Sequence, residues 1–242
     1  RERILSSSTD CVAVALPQEF QTTIEHGINL LPLISLCSQE ESTGEVNYVP
    51  IDPCQPVIMG LRIATQEGIA RKYIDWSCDN YEMRKIDFPD TYALRHMAYE
   101  KFCATLLLTI KRPITGSLHD KKARWMAYQL HQLEMDFSKI TIICSILDWP
   151  WIKEAYDERK PYDKPNDHAK NPKIYAVEKK TLFFALTEFP YITYLNEKYR
   201  QEMISDKEVS IDGIKEILIY ARQIFTQKYK VRYHNLTSQT FQ

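Results

Sequence analysis

Two short runs constrain this chain more than any other feature: Cys11-Val12-Ala13-Val14-Ala15-Leu16, stopped by Pro17, and Lys139-Ile140-Thr141-Ile142-Ile143-Cys144. The first is an unbroken apolar run, the second is rich in β-branched residues, and both are shorter than a helix of ordinary length. Strands of this kind are buried on both faces, the pattern of a parallel sheet covered by helices. The expected fold class is therefore α/β, a mainly parallel sheet flanked by helices.

Two further strands fit between them. Tyr48-Val49-Pro50-Ile51 runs into Asp52-Pro53-Cys54-Gln55-Pro56, a strand-to-helix turn with Pro56 suited to a first helical position. Val57, Leu61 and Ala64 share one face of the helix that follows, Gly68 ends it, and Ala70 to Asp75 supplies the next strand. Strand, helix and strand read as a βαβ unit with a right-handed crossover. Residues 19–37 carry helix-like spacing at Ile24, Ile28 and Leu31, continuing to Ile34–Leu36, with Pro32 expected to kink or divide the helix.

Residues 76–90 lack a period and read as a loop. Helical patterning resumes over 91–111 and 118–136, an expected helical insertion at about 91–136 in which Met126, Leu130 and Leu133 form a stripe. Residues 1–156 thus make an α/β core domain. Residues 157–173, with Pro161, Pro165 and Pro172 among many charges, make a polar loop or linker. Residues 174–242 make an aromatic and helical segment packed on the same domain, ending in a helix with Ile214, Ile217, Leu218, Ala221, Ile224 and Phe225 on one apolar face.

Composition removes several function classes. The 31 basic and 32 acidic side chains nearly cancel, which argues against a nucleic-acid binder held by an overall positive field. Six glycines in 242 residues is far below ordinary usage, and no phosphate-cradling glycine loop or nucleophile elbow occurs. The six cysteines include no C-x-x-C pair, so they read as reduced thiols in a cytoplasmic protein rather than a zinc ribbon. No apolar run reaches the ~18–20 residues of a membrane helix, so no membrane partner is expected. Arg1 opens no signal peptide, and without an initiator methionine the expectation is a processed or excised chain. Asn235-Leu236-Thr237 is a formal glycosylation sequon of a kind common by chance.

Three aspartates share a position that carries chemistry. Asp52 and Asp75 close strands, and Asp148 follows the Ile140–Cys144 strand by a short turn. The carboxyl ends of parallel strands form one rim where ligands bind. Three carboxylates there suit a divalent metal, or a base beside a metal-bound water; singly, each aspartate also suits a helix or turn cap. Trp149, Pro150 and Trp151 offer an aromatic wall beside Asp148. Cys144-Ser145 fits a buried thiol and a capping serine better than a nucleophile. His119-Asp120, with His96 upstream, superficially matches the metal dyad of the HD phosphohydrolases, but Leu118-His119-Asp120 fits a helix start, where Asp120 favours the macrodipole.

The chain resembles the erythromycin esterase, ChaN, TraB and Tiki-like superfamily, and within it an uncharacterised bacterial family. The resemblance rests on Cys11 to Phe20, on Tyr48 to Asp75, on Lys122-Ala123-Arg124-Trp125-Met126-Ala127-Tyr128-Gln129-Leu130, and on the Ile140–Cys144 strand with its turn. It implies a hydrolase-like α/β fold, with a metal in some relatives. The chain departs from the pattern where the chemistry lies. Ala15 stands where the resemblance implies an acid, Lys122 where it implies an arginine (Arg124 being a substitute), and Asp148 where it implies a histidine. A first Gly-x-x-His motif would precede Arg1.

Two functions follow as expectations. In one, the chain is a degenerate member that binds a small molecule or protein partner at the former active-site cleft. In the other it is a metal-dependent hydrolase of esterase or peptidase type, with Asp52, Asp75 and Asp148 as metal ligands. Asp148 also serves the chemistry there, and Lys122 or Arg124 stabilises an oxyanion. The aromatic run of Phe183-Phe184 and Phe189 to Tyr194 adds a third idea, a protein-interaction surface.

Overall fold

The computed structural model describes residues 1–40, 44, 46–78, 97–162, 171–186, 189–202 and 213–229. Expectations placed on 79–96 (much of the loop, the start of the insertion and His96), on Pro165 and on Asn235 lie outside the described residues.

The first strand, β1 (Cys11–Pro17), follows a short helix α1 (Glu2–Ser6) and forms the centre of a three-stranded parallel sheet. On one side it pairs with β4 (Ala70–Asp75) and on the other with β5 (Ile140–Ile143), with Cys11 opposite both Ala70 and Ile140. Successive side chains of β1 go to opposite faces. Val12 and Val14 enter a core with Ile58, Leu61 and Ala64 of α3 (Pro56–Gln66), while Ala13 and Ala15 join one with Ala123, Met126 and Ile152. Those last residues belong to α5 (Leu118–Leu133) and α6 (Trp149–Glu158), so helices cover both faces of the parallel sheet.

The proposed βαβ unit is corrected by the pairing. Its first strand, β3 (Val46–Ile51), is not in the parallel sheet. It pairs antiparallel with β2 (Ser35–Glu40), which pairs antiparallel with β6 (Lys173–Ala176). The parallel arrangement therefore holds for one sheet of three strands, and a second sheet of equal size is antiparallel. Residues 19–37 divide accordingly. A single 3-10 turn (Gln18–Phe20) leads into α2 (Gln21–Asn29), and the chain beyond Pro32 becomes β2 instead of continuing as helix. Gly27 lets α2 lie close on this second sheet, because a Cβ there would be 2.9 Å from Ile51 Cγ1 and 3.1 Å from Ile174 Cδ1.

The helical segment between β4 and β5 comprises α4 (Tyr99–Leu107) and α5. It is less an insertion than one of the two layers, since α5 packs on β4 and α6 and presents Met126 and Leu130 to the core. Its start is locally encoded. Ser117 Oγ accepts from Asp120 N at 3.4 Å, and Asp120 Oδ2 accepts from Gly116 N at 2.9 Å, a reciprocal cap of the capping-box kind.

The C-terminal segment continues as α7 (Leu182–Ala185), α8 (Pro190–Gln201) and α9 (Gly213–Tyr229). Besides β6, its firmest tie to the core is Glu197 of α8, which accepts from Arg62 of α3 at 2.5 Å with both side chains 8% exposed. Arg200 also reaches Glu197, at 3.4 Å. Helix α9 touches α8 through a stacked Tyr191–Tyr220 pair, and its Leu218, Ile224 and Phe225 remain exposed.

Candidate functional site

The carboxyl ends of β1, β4 and β5 open into a cavity of about 280 Å³, at the low end of small-molecule sites. Its floor is the parallel sheet's rim: Ala15 to Pro17 from β1, Asp75 to Cys78 from the end of β4, and Ser145 and Asp148 from the turn after β5. Helix α5 supplies His119, Lys122 and Met126 on one side. The edge strand β3 supplies Asn47 to Val49 on the other, so the cleft lies between the two sheets. A buried hydrogen bond joins them beside it, from Gln39 Nε2 of β2 to Ser77 Oγ at 2.9 Å.

Asp75 and Lys122 form the electrostatic centre. Lys122 Nζ donates to Asp75 Oδ2 at 2.8 Å, with side chains 10% and 9% exposed. Asp75 Oδ1 accepts from Trp76 N at 2.8 Å, so both carboxylate oxygens are engaged. The ammonium also donates to Trp76 O at 3.2 Å, lies 3.8 Å from Cys78 Sγ, and sits 5.5 Å from the centre of the Trp76 ring. Burial pushes the Asp75 carboxyl above the usual aspartate range, and the charge of Asp148 pushes the same way. The Lys122 cation and the Trp76 N–H oppose the shift without reversing it.

Asp148 opens α6, yet its carboxylate makes no capping bond to that helix. It faces the cleft instead, and its charge reaches both Asp75 and Cys144. The Cys144 thiol is pushed up to about 12, chiefly by burial, which leaves it protonated and unreactive at neutral pH. Ser145 Oγ accepts from Leu147 N at 3.2 Å inside the turn before α6, whose N-cap position is held by Asp148.

The other candidates are placed elsewhere. Asp52 is fully buried, its Oδ1 accepting from Cys54 N at 2.9 Å in the turn before α3, and it does not line the cleft. It closes a strand of the other sheet, so its rim is a different one. Arg124 spans Asp120 at 3.4 Å and Glu158 of α6 at 3.2 Å, a strut between helices away from the cleft. Trp151 packs in the core under Arg112, and neither it nor Trp149 lines the cleft. The aromatic walls are Trp76, Phe20 and Tyr48, which the sequence did not single out. The direct continuation of the β4 strand, Asp75-Trp76-Ser77-Cys78, was the available signal for three of the lining residues.

This donor set does not fit a metal. Asp75 already accepts hydrogen bonds on both oxygens, Asp52 does not line the cleft, and among the described residues no group of three His, Cys, Asp or Glu side chains is placed to hold an ion. All six cysteines are free thiols. Among the described residues no helix is long and apolar enough to cross a membrane. The aromatic run of the C-terminal segment is exposed at Phe183, Phe184, Phe189 and Tyr194, with Phe183 5.6 Å from the ring of each of the other two phenylalanines. No family model matches the chain, and neither does any curated protein or solved structure.

Proposed function

We propose that the chain binds a small, partly apolar ligand in the cleft at the C-terminal rim of its parallel sheet, as a degenerate relative of the hydrolase-like superfamily it resembles. The observation that carries this reading is the Asp75–Lys122 pair. It neutralises the rim carboxylate that closes a strand of the parallel sheet and gives each of its oxygens a hydrogen-bond donor within the protein. A metal-dependent hydrolase would need Asp52, Asp75 and Asp148 around one ion, and Asp52 lies outside the cleft.

Ala15 supports the same conclusion. Where the resemblance implies an acid, a methyl group lines the cleft; it can neither hold a cation nor move a proton, and its small size leaves the space a ligand would fill. The concave shape, open on one side, favours a small molecule over a flat protein surface. Free cysteines fit a reducing, cytoplasmic setting.

The test is ligand-detected NMR of a small-fragment library against the wild-type chain and Ala15→Trp, with elemental analysis of both. Fragments that bind the wild type and are lost when the indole fills the cleft support the reading. One tightly held equivalent of Mn, Fe, Zn or Mg, lost together with ester hydrolysis in Asp148→Asn, would overturn it in favour of the hydrolase.

A further inference from the structure

An amine buried on the wall of a cavity, with a carboxylate at hydrogen-bond distance, has a chemistry beyond charge neutralisation. We propose that Lys122 is a nucleophile that captures the carbonyl group of an aldehyde or ketone ligand as an imine, with Asp75 taking and returning the proton. This deepens the ligand-binding reading of the cleft and rests on it.

Three features support the proposal. The first is position: Lys122 and Asp75 both line the cavity, at the carboxyl end of the parallel strands. The second is rigidity. Lys122 Nζ is held by Asp75 Oδ2 at 2.8 Å and Trp76 O at 3.2 Å, so a flexible side chain is fixed in one place before any ligand arrives. The third is the cost of burial, which falls on both charges of the pair. Moving one proton from Nζ to Oδ2 discharges both groups at once and leaves an amine with a lone pair. Burial already displaces the Asp75 carboxyl toward holding a proton.

The steps balance within the pair. The neutral amine adds to the carbonyl carbon, a C–N bond forms, and a proton passes from nitrogen to the former carbonyl oxygen. Asp75 then protonates that hydroxyl, the C–O bond breaks and water leaves. The product is an iminium on Lys122 facing the Asp75 carboxylate. One cation and one anion stand where they stood before, so capture adds no buried charge. Phe20, Trp76 and Met126 line the same cavity, and their apolar surfaces limit the water that would reverse the step. No oxidant, metal or second substrate is required.

The experiment uses the full chain, benzaldehyde as probe and cyanoborohydride as trap at neutral pH, followed by peptide mass mapping. Burial disfavours the ammonium and Asp75 supplies the acid for loss of water, so labelling should be at least about tenfold faster than at an exposed lysine, and the Lys122 adduct should outrun those at the exposed Lys179 and Lys180. Lys122→Arg keeps the cation opposite Asp75 and should lose that adduct alone, with the far-ultraviolet spectrum unchanged. Asp75→Asn should slow labelling at Lys122 and leave the exposed lysines as they were. Labelling of Lys122 no faster than Lys179 and Lys180 overturns the proposal. Benzaldehyde binding without reductant is followed in parallel by NMR. Reversible binding that Ala15→Trp abolishes, with no Lys122 adduct, refutes imine capture and leaves the ligand site standing. Absence of cleft binding by benzaldehyde and by the fragments alike removes both.

Discussion

Replacing Lys122 with methionine should destabilise the chain by an amount that depends on pH in a defined direction. The side chains are similar in length, so the main loss is the ammonium. Asp75 would then keep one backbone N–H donor, from Trp76, while burial and the charge of Asp148 both act against its ionisation. Removing one partner of a pair buried to this degree costs about 3–5 kcal/mol at neutral pH. Protonation of Asp75 caps that cost, because the folded variant can discharge the stranded carboxylate. The folded carboxyl then holds its proton more tightly than the unfolded chain does. Stability from this group is present at low pH and lost as pH rises through the folded value, by up to about 1.4 kcal/mol per pH unit. Wild-type Asp75 is displaced the same way but less, since Lys122 opposes the shift. The deficit of the variant should therefore be largest near about pH 8 and shrink steadily toward about pH 5. Urea unfolding followed by tryptophan fluorescence would read it, Trp76 and Trp125 lying beside the pair with ring centres 6.2 Å apart. Asp75→Asn combined with Lys122→Met removes both charges and should recover most of the loss. A deficit below about 1 kcal/mol, or one that stays flat across this pH range, would refute the claim that Asp75 is a buried carboxylate balanced by Lys122.

Other parts of the molecule make equally direct predictions. Glu197→Ala strands Arg62 in the centre of α3 and should cost about 3–5 kcal/mol by urea unfolding, whereas Arg62→Met with Glu197→Leu should be close to neutral. Ser117→Ala removes the α5 cap and should cost about 1 kcal/mol, with no change in ligand binding. The Cys144 thiol, pushed up to about 12, should resist alkylation at neutral pH in the folded chain and react once urea unfolds it, with site-resolved mass mapping as the readout.

What the sequence disclosed and what it hid have physical causes. Strand β1 is legible because burial on both faces makes it an unbroken apolar run, β5 because its β-branched residues pack half-buried on both faces at the sheet edge, and α3 because Pro56 and Gly68 bracket it. Strand β2 was missed because its inward side chains are Ser35, Cys37 and Gln39; the apolar–polar alternation is absent where it would be sought. The residues of β3 announce a strand but not its sheet, since partner choice is not written in a strand's own residues. The exposed Val46 and Tyr48 mark a sheet with one solvated face, which is an antiparallel trait. The same limit applies to Asp52, because a strand-end aspartate joins a rim only if its strand joins that sheet. Lys122 and Arg124 are alike as cations by sequence, yet two residues apart on a helix they cannot face the same way. One reaches the cleft and the other the neighbouring helix.

The two buried ion pairs clarify what the cleft is for. Arg62–Glu197 and Asp75–Lys122 are buried to nearly the same extent, and each is more costly to build than a well-packed apolar contact. Arg62–Glu197 has a structural consequence that accounts for it: it joins α8 to a helix already buried against the sheet, and fixes where the C-terminal segment lies. Asp75–Lys122 joins β4 to α5, which already meet through Ile74, Ala123 and Met126 in a continuous apolar core. Packing there does not need a charge, and an apolar pair would close the gap at lower cost. The charged pair instead leaves an amine and a carboxyl facing a cavity. A group held at a cost to stability and opened to a ligand-sized space is where function opposes packing. That contrast, more than burial alone, is why the proposed ligand contact falls to Lys122 and not to Arg62.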